Sequence, residues 1–173
     1  MVERFLGAGS SRSRRSAEAA IARPRETSKR SSRPSGPVIA IVDSGPLYAV
    51  IDADDDDHAR CVEVLQRSDL DLIIPALVVA EVTYLVGRRL GAEIEAAFLR
   101  GLATVEVEAP AANDWPAIAE LVFRYADFPL GGTDASVAVL AERLGTDLVV
   151  TLDRRHFGVI RSTQGRSFRL LPD

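Results

Sequence analysis

The sequence predicts a single α/β domain with a central, mostly parallel sheet of about five strands flanked by helices. From Val38 onward, short β-rich apolar runs alternate with longer amphipathic stretches. Strands that alternate with helices in this way form parallel sheets through right-handed crossovers. Residues 38–173 have the length of one domain with one core, and the apolar fraction of 47% is typical of globular proteins.

The first predicted elements are a strand and a helix. The run "VIAIV" at 38–42 is short, apolar and β-branched, which predicts a buried strand. It ends at "DSGP", which predicts a loop. The segment 57–68, "DHARCVEVLQRS", predicts a helix whose apolar face carries Cys61, Val64 and Leu65.

A second strand and two helices follow. The run "LIIP" at 72–75 predicts a strand closed by proline. Residues 76–91 predict a helix with Pro75 near its start and Gly91 at its end. Residues 92–102 predict another helix directly after it.

The next region predicts a third strand and a helix. Residues 104–109, "TVEVEA", alternate in polarity like a strand. Residues 113–126 open with Asn113 and Asp114 and carry a proline in the first turn, which predicts a helix.

The last elements complete the alternation. Residues 131–145 predict a helix with Thr133 as N-cap and Gly145 as its stop. Residues 147–152, "DLVVTL", predict a fourth strand, and residues 167–171, "SFRLL", a fifth at an edge.

Residues 1–37 differ from the rest of the chain. They are rich in Ser, Arg, Gly and Pro and show no sustained apolar periodicity, which predicts disorder. They hold nine of the 21 basic and three of the 25 acidic residues, a net charge of +6, while residues 38–173 carry a net charge of −10. An upstream-start extension or a passive tail is favoured over a basic arm that follows phosphates, and a transit peptide is the least favoured alternative.

The composition excludes several kinds of protein. The single cysteine, Cys61, excludes an internal disulfide and any multi-cysteine metal site, and we expect it in the core. With only His58 and His156, an imidazole-rich metal site is not expected. A reducing compartment, the cytoplasm, is the expected location. No apolar run approaches the roughly 18–20 residues that span a bilayer.

Four carboxylates are predicted to meet at one edge of the sheet. Asp43 and Asp153 directly follow the strands 38–42 and 147–152. Asp134 lies in the first turn of a helix, behind a Gly-Gly loop, and Glu81 lies in the second turn of the helix after the second strand. Ligands of open parallel sheets bind beyond the carboxyl ends of the strands, where the strand order reverses.

A divalent cation explains such a set of acids. Converging carboxylates without a cation repel one another and take up protons, whereas hard cations prefer oxygen ligands. Mg²⁺ fits best, with Mn²⁺ as a substitute, and either ion activates water and stabilises charge on a phosphodiester. Ser44 and Thr151 can orient these acids, and Arg154 and Arg155 can contact flanking phosphates.

Residues 38–173 resemble a PIN-domain ribonuclease, particularly the VapC toxins of bacterial toxin–antitoxin pairs. The matching segments are "IVDSGPLYAV", "IIPALVVAEVTYLV" and "FPLGGTDASVAVLAERLGTDLVVTLDRRHF". The resemblance implies catalytic and metal-binding roles for four acids, Asp43, Glu81, Asp134 and Asp153. It also implies Mg²⁺- or Mn²⁺-dependent cleavage of structured RNA such as tRNA or rRNA, leaving a 5′-phosphate and a 3′-hydroxyl. The implied partners are a cognate antitoxin and a second copy of the chain.

Other functions fit the sequence less well. A phosphorylation receiver needs a lysine near the phosphoryl group, but the only lysine is Lys29. An aspartyl-phosphate phosphatase would have an acid where Gly45 stands, and no P-loop motif is present. A non-catalytic PIN-like binding module and an RNA-processing nuclease outside toxin–antitoxin systems remain as alternatives.

Several further residues have competing interpretations. Asp127 is a weaker fifth acid, and His156 is a candidate general base for which packing is the favoured role. Arg88 and Arg89 are expected at a solvated helix end rather than in the cleft, and Asp147 lies at the opposite edge of the sheet. The acidic run at 52–63 lacks the glycine of a calcium loop, so we expect a solvated loop that starts a helix.

Overall fold

The computed structural model describes residues 36–128 and 130–173, so the prediction of disorder for residues 1–37 lies almost entirely outside the described residues. The strands are β1 (Val38–Val42), β2 (Leu70–Pro75), β3 (Glu106–Glu108), β4 (Leu148–Val150) and β5 (Arg169–Leu171). The helices are α1 (Ser44–Ile51), α2 (His58–Leu65), α3 (Ala76–Arg89), α4 (Ala92–Gly101), α5 (Asp114–Arg124), α6 (Gly132–Arg143) and α7 (Arg154–Val159). A single 3₁₀ turn, Leu102–Thr104, follows α4.

The five strands form one sheet in the order β3-β2-β1-β4-β5, and every pair of neighbours is parallel. From β1 the chain winds outward through β2 to β3, then returns to the other side of β1 to form β4 and β5. The strand order therefore reverses between β1 and β4, the position at which open α/β sheets bind ligands. The register that pairs Val42 with Val150 brings the carboxyl ends of these two strands together.

The core surrounds the central strands and α6. In β1, Ala40, Ile41 and Val42 are at most 1% exposed, because β1 lies in the middle of the sheet. Helix α6 is buried continuously from Ala135 to Ala141 and contacts β1, β2 and β4 as well as α3 and α5. Its small and β-branched side chains allow this close packing. As a result, the start of α6 is held firmly against the switch point of the sheet.

The predicted fold is confirmed, including the edge position of β5. Gly91 and Gly145 have φ values of 88° and 70° directly after α3 and α6, which confirms the predicted helix stops. The predicted loop at "DSGP" is wrong, because α1 begins at Ser44. The apolar residues of α1 are buried throughout, so the segment has no amphipathic period to reveal a helix.

Two smaller predictions also need correction. The N-cap of α6 is Gly131 rather than Thr133, because the chain is already helical from Gly132. The six-residue helix α7 is separated from β4 by three residues and is too short to show a periodic pattern. In the acidic run, Asp57 is the N-cap of α2, as the solvated-loop interpretation expected. Among the residues that are described, no helix is both long and apolar enough to cross a bilayer.

Candidate active site

An open cleft of about 630 Å³ lies at the carboxyl ends of β1 and β4. It contains all four predicted acids, both arginines that follow β4, and the start of α1. The residues that line it are Asp43, Ser44, Gly45, Glu81, Asp134, Leu152, Asp153, Arg154, Arg155 and His156. The sequence therefore identified the correct edge of the sheet, and four separate segments of the chain supply the acids.

Asp43 is the most buried of the four acids, with 3% of its surface exposed. It ends β1, and its backbone N–H donates to the carbonyl of Val150 at 2.9 Å. Burial raises the pKa of its carboxyl from 3.8 to about 6, and the nearby charges of Asp134 and Glu81 add to this rise. Its Oδ1 atom is buried and has no hydrogen-bond partner within the described chain. Such an oxygen is suited to accept a proton or a cation.

Thr151 connects two of the acids. Its hydroxyl donates to Asp43 Oδ2 at 2.7 Å and accepts from the backbone N–H of Asp153 at 2.9 Å. The side chain is 1% exposed, so both hydrogen bonds are shielded from water. The predicted orienting role of Thr151 thus has a geometric basis. Ser44 lines the cleft and begins α1, and its backbone N–H partly offsets the raised pKa of the adjacent Asp43 carboxyl.

Asp134 and Glu81 reach the cleft from two helices that contact each other, α6 and α3. Asp134 Oδ2 accepts from the backbone N–H of Gly131 at 3.2 Å and so caps the first turn of α6. Partial burial raises the pKa of Asp134, although the Gly131 hydrogen bond and the His156 ring oppose the rise. Asp134 therefore caps the first turn of α6 and also lines the cleft.

Asp153 is held by His156 through both carboxylate oxygens. The backbone N–H of His156 donates to Oδ1 at 2.8 Å, and the ring Nδ1 lies 2.5 Å from Oδ2. Burial alone would raise the pKa of Asp153, but the hydrogen bonds and charge of His156 outweigh it, so that the pKa is lowered. The His156 ring packs edge-on against Phe128, with ring centroids 4.8 Å apart. The expected packing role is therefore present, together with a position in the cleft that the sequence argument did not predict. The Asp-x-x-His spacing at a helix start was the available signal.

The two arginines lie at the rim of the cleft, at the start of α7. Arg155 is exposed, and its guanidinium carbon lies 5.4 Å from the centre of the Phe128 ring. Arg154 hydrogen-bonds the backbone carbonyl of Pro172. Within residues 36–128 and 130–173, neither forms an ion pair with a carboxylate. Their positive charge is therefore available to an anionic ligand.

Other candidates lie elsewhere. Asp127 is exposed in the turn after α5 and does not line the cleft. Asp147 forms an ion pair with Arg169 at 2.7 Å, at the opposite edge of the sheet. Arg88 and Arg89 are exposed near the end of α3 and do not line the cleft, and Arg89 lies 5.3 Å over the ring of Tyr48. Cys61 is a buried free thiol in the core, as expected.

The donor chemistry of the cleft fits a hard divalent cation. Four carboxylates line it, and the buried Asp43 Oδ1 is free to accept. As the side chains stand, no three Asp, Glu, His or Cys side chains within residues 36–128 and 130–173 form a ready metal site. Three of the acids have oxygens hydrogen-bonded within the chain: Asp43 Oδ2 to Thr151, Asp134 Oδ2 to Gly131, and both oxygens of Asp153 to His156. The residue types fit the ion, and their present conformations do not fix its position.

Known proteins share this combination of sheet and cleft. The model of the PIN domain family matches residues 40–161, which is more than half of the chain. The chain is also 39% identical over 134 residues to ribonuclease VapC26 of Mycobacterium tuberculosis, an alignment that covers 76% of the chain and 99% of that relative. The chain therefore belongs to the PIN-domain family and, within it, to the VapC ribonucleases.

Solved structures share the fold at lower sequence identity. VapC20 of Mycobacterium tuberculosis, described as a toxin that cleaves the sarcin-ricin loop, aligns with a TM-score of 0.61 and 21% identity, covering 70% of this chain and 96% of its own. VapBC2 of Rickettsia felis, bound to a promoter DNA fragment, aligns with a TM-score of 0.59 and 17% identity, covering 78% of this chain and 100% of its own. DNA-bound VapBC of Salmonella typhimurium aligns with a TM-score of 0.58 and 21% identity, covering 78% of this chain and 98% of its own. At these identities the likeness concerns the fold.

Proposed function

We propose that this VapC ribonuclease is a metal-dependent endoribonuclease, the toxin component of a type II toxin–antitoxin pair, which cleaves structured RNA such as tRNA or rRNA. The observation that carries the proposal is the convergence of four carboxylates on one cleft around the buried Asp43, whose Oδ1 has no hydrogen-bond partner among the described residues. Burial without a cation is unfavourable for ionised Asp43, as its raised pKa shows.

Each acid has a defined part in this proposal. Asp43, Glu81, Asp134 and Asp153 would hold one or two Mg²⁺ ions, with Mn²⁺ as a substitute. When bound, such an ion supplies Lewis-acid activation of water and stabilisation of charge on a phosphodiester. Thr151 fixes Asp43 and the backbone of Asp153 relative to each other.

RNA would approach over the rim of the cleft. Arg154 and Arg155 have no carboxylate partner in the part of the chain that the structure describes, and they would bind the phosphates that flank the scissile bond. The acidic body otherwise repels RNA, since residues 38–173 carry a net charge of −10. Binding should therefore depend on both these arginines and the cation. The open shape of the cleft allows a folded RNA to reach the acids.

The protein partners follow from the relatives. The neighbours from Rickettsia felis and Salmonella typhimurium are VapBC complexes, which supports a cognate antitoxin for this chain as well. A homodimer is part of the proposal. The presence of all four acids in one cleft favours an enzyme over a non-catalytic binding module.

The test is cleavage of total cellular RNA by the purified protein with Mg²⁺, Mn²⁺ or EDTA. We expect cleavage that requires the metal and disappears in Asp43→Ala and Asp134→Ala. Asp147→Ala is the matched control, because Asp147 is an acid at the opposite edge of the sheet. Activity that survives both cleft substitutions, or that persists in EDTA, would contradict the proposal. Absence of cleavage by folded, metal-loaded protein would favour the binding module.

A further inference from the structure

His156 is the one residue of the cleft that contacts a cleft acid through both its backbone and its side chain. A helix N-cap needs only one carboxylate oxygen, and Asp153 Oδ1 already accepts the backbone N–H of His156. The ring contact to Oδ2 is therefore additional to the cap. The side chains of Asp153 and His156 are 37% and 19% exposed, so this second contact lies at the open side of the site.

We propose that His156 is a positioning residue that fixes the Asp153 carboxylate for its part in the cation site. This inference rests on the proposed function. An ionised carboxylate only accepts hydrogen bonds, so the ring nitrogen 2.5 Å from Oδ2 must be the donor. Two donors on two oxygens stop the carboxylate from rotating. Each oxygen keeps a further lone pair that can face the cleft.

The ring is itself held in place. It packs edge-on against Phe128, which precedes the loop that leads to Asp134. The arrangement thus links the segment after β4 to the segment before α6. Hydrogen-bonded partners of metal-binding carboxylates typically contribute about 10- to 100-fold to metal affinity or activity. We expect an effect in that range from the ring contact of His156.

Two substitutions separate the hydrogen bond from the packing. His156→Phe keeps a ring against Phe128 but removes the donor, whereas His156→Asn places an amide nitrogen close to the former position of Nδ1. The matched control is His58→Phe, because His58 Nδ1 makes a hydrogen bond of similar kind, 2.8 Å to the carbonyl of Ala49, and does not line the cleft. These are the only two histidines in the chain.

The first readout is the affinity of the full-length protein for Mn²⁺ alone, measured by calorimetry at one fixed pH. We expect about a 10-fold or greater loss in His156→Phe, recovery of most of it in His156→Asn, and no change in His58→Phe. The second readout is RNA cleavage, for which we expect a lower kcat at similar KM in His156→Phe. Thermal unfolding in EDTA should stay cooperative in His156→Phe, with a slightly lower midpoint than in wild type, because the hydrogen bond that lowers the pKa of Asp153 is lost.

The outcomes distinguish this inference from the function on which it depends. If His156→Phe binds Mn²⁺ as tightly as wild type or more tightly, or if His156→Asn is as impaired as His156→Phe, the positioning role is wrong. If Asp43→Ala and Asp134→Ala lose Mn²⁺ binding in the same series, the proposed function still stands. If those two variants bind Mn²⁺ and cleave RNA like wild type, the proposed function itself fails.

Discussion

Thr151 donates its hydroxyl to Asp43 Oδ2 at 2.7 Å, although the two residues are separated by 108 positions in the sequence. The contact exists because β1 and β4 are parallel neighbours whose carboxyl ends coincide. It satisfies one oxygen of a carboxylate that is nearly excluded from water, while the other oxygen has no partner. The contribution of this hydrogen-bonded pair to the free energy of unfolding therefore depends on the protonation of Asp43 and on what binds to its carboxylate.

Replacing Thr151 by valine should both destabilise the protein and reduce its activity. The shape is kept, but a buried carboxylate loses its hydroxyl donor, which costs about 1–3 kcal/mol of unfolding free energy. The pKa of Asp43 should rise further, because the Thr151 hydrogen bond lowers it. Urea unfolding of the metal-free protein measures the first effect, and RNA cleavage measures the second.

Thr151→Ser is the matched control for this prediction. Serine retains the hydroxyl and should keep most of the stability and the activity. If valine and serine variants were equally stable and equally active, the hydrogen bond to Asp43 would have no energetic role.

The contribution of Asp43 to the stability of the metal-free protein should fall as pH rises from about 4 to about 6. The pKa of Asp43 is about 6 in the folded protein and 3.8 ordinarily, mainly because burial disfavours the charge. Between these values the folded state binds more protons than the unfolded state, so raising the pH favours unfolding. Above about pH 6 Asp43 is ionised in both the folded and the unfolded state, and the loss of unfolding free energy stays constant at about 1–3 kcal/mol.

Asp43→Asn should remove this dependence. In EDTA at pH 7 the variant should be more stable than wild type, and near pH 4 the two should be similar. Asp147→Asn is a control of opposite sign, because the Arg169 ion pair lowers the pKa of Asp147. Denaturant unfolding across this pH range measures both. Two results together would rule out the burial of Asp43 as the cause. One is a wild-type stability that rises between pH 4 and pH 6 by more than the other carboxylates explain. The other is an Asp43→Asn variant that is no more stable than wild type.

Replacing Asp134 by asparagine and by alanine should separate its role as a helix cap from its role as a cleft acid. Asparagine can still accept the hydrogen bond from Gly131, so Asp134→Asn should fold with nearly wild-type stability. It loses the charge that a cation needs, so RNA cleavage should be lost. Asp134→Ala should also lose the helix cap and become less stable by about 1 kcal/mol. Equal stability of the two variants would show that the cap contributes little.

The acids of the cleft could be predicted from the sequence because their positions follow from topology. Asp43 directly follows β1 and Asp153 comes three residues after the end of β4, and the carboxyl ends of parallel strands share one edge. Glu81 and Asp134 were placed there by their positions in the helices and by the family resemblance. All four acids line the cleft.

The remaining parts depend on short-range geometry that has no periodic signal. Helix α1 is buried along its whole length, so its pattern does not distinguish it from a loop that enters the core. Helix α7 has only six residues, and it turns His156 back onto Asp153. A loop at this position would not impose that contact, which is why packing was the favoured role for His156.

Arg155 should contribute to RNA binding through its charge alone. It is exposed and lines the cleft, and it lies against Phe128 without a carboxylate partner among the described residues. Arg155→Ala should raise KM with little change in kcat, and the salt dependence of RNA binding should weaken by about 0.7–1 in logarithmic slope. Arg169→Ala is the matched control, because Arg169 is exposed but paired with Asp147 at the opposite edge. The KM for RNA cleavage, measured across a salt series with Mg²⁺ present for the wild-type and Arg155→Ala proteins, gives the slope. Identical slopes for the Arg155 variant and its parent would place the RNA elsewhere on the protein.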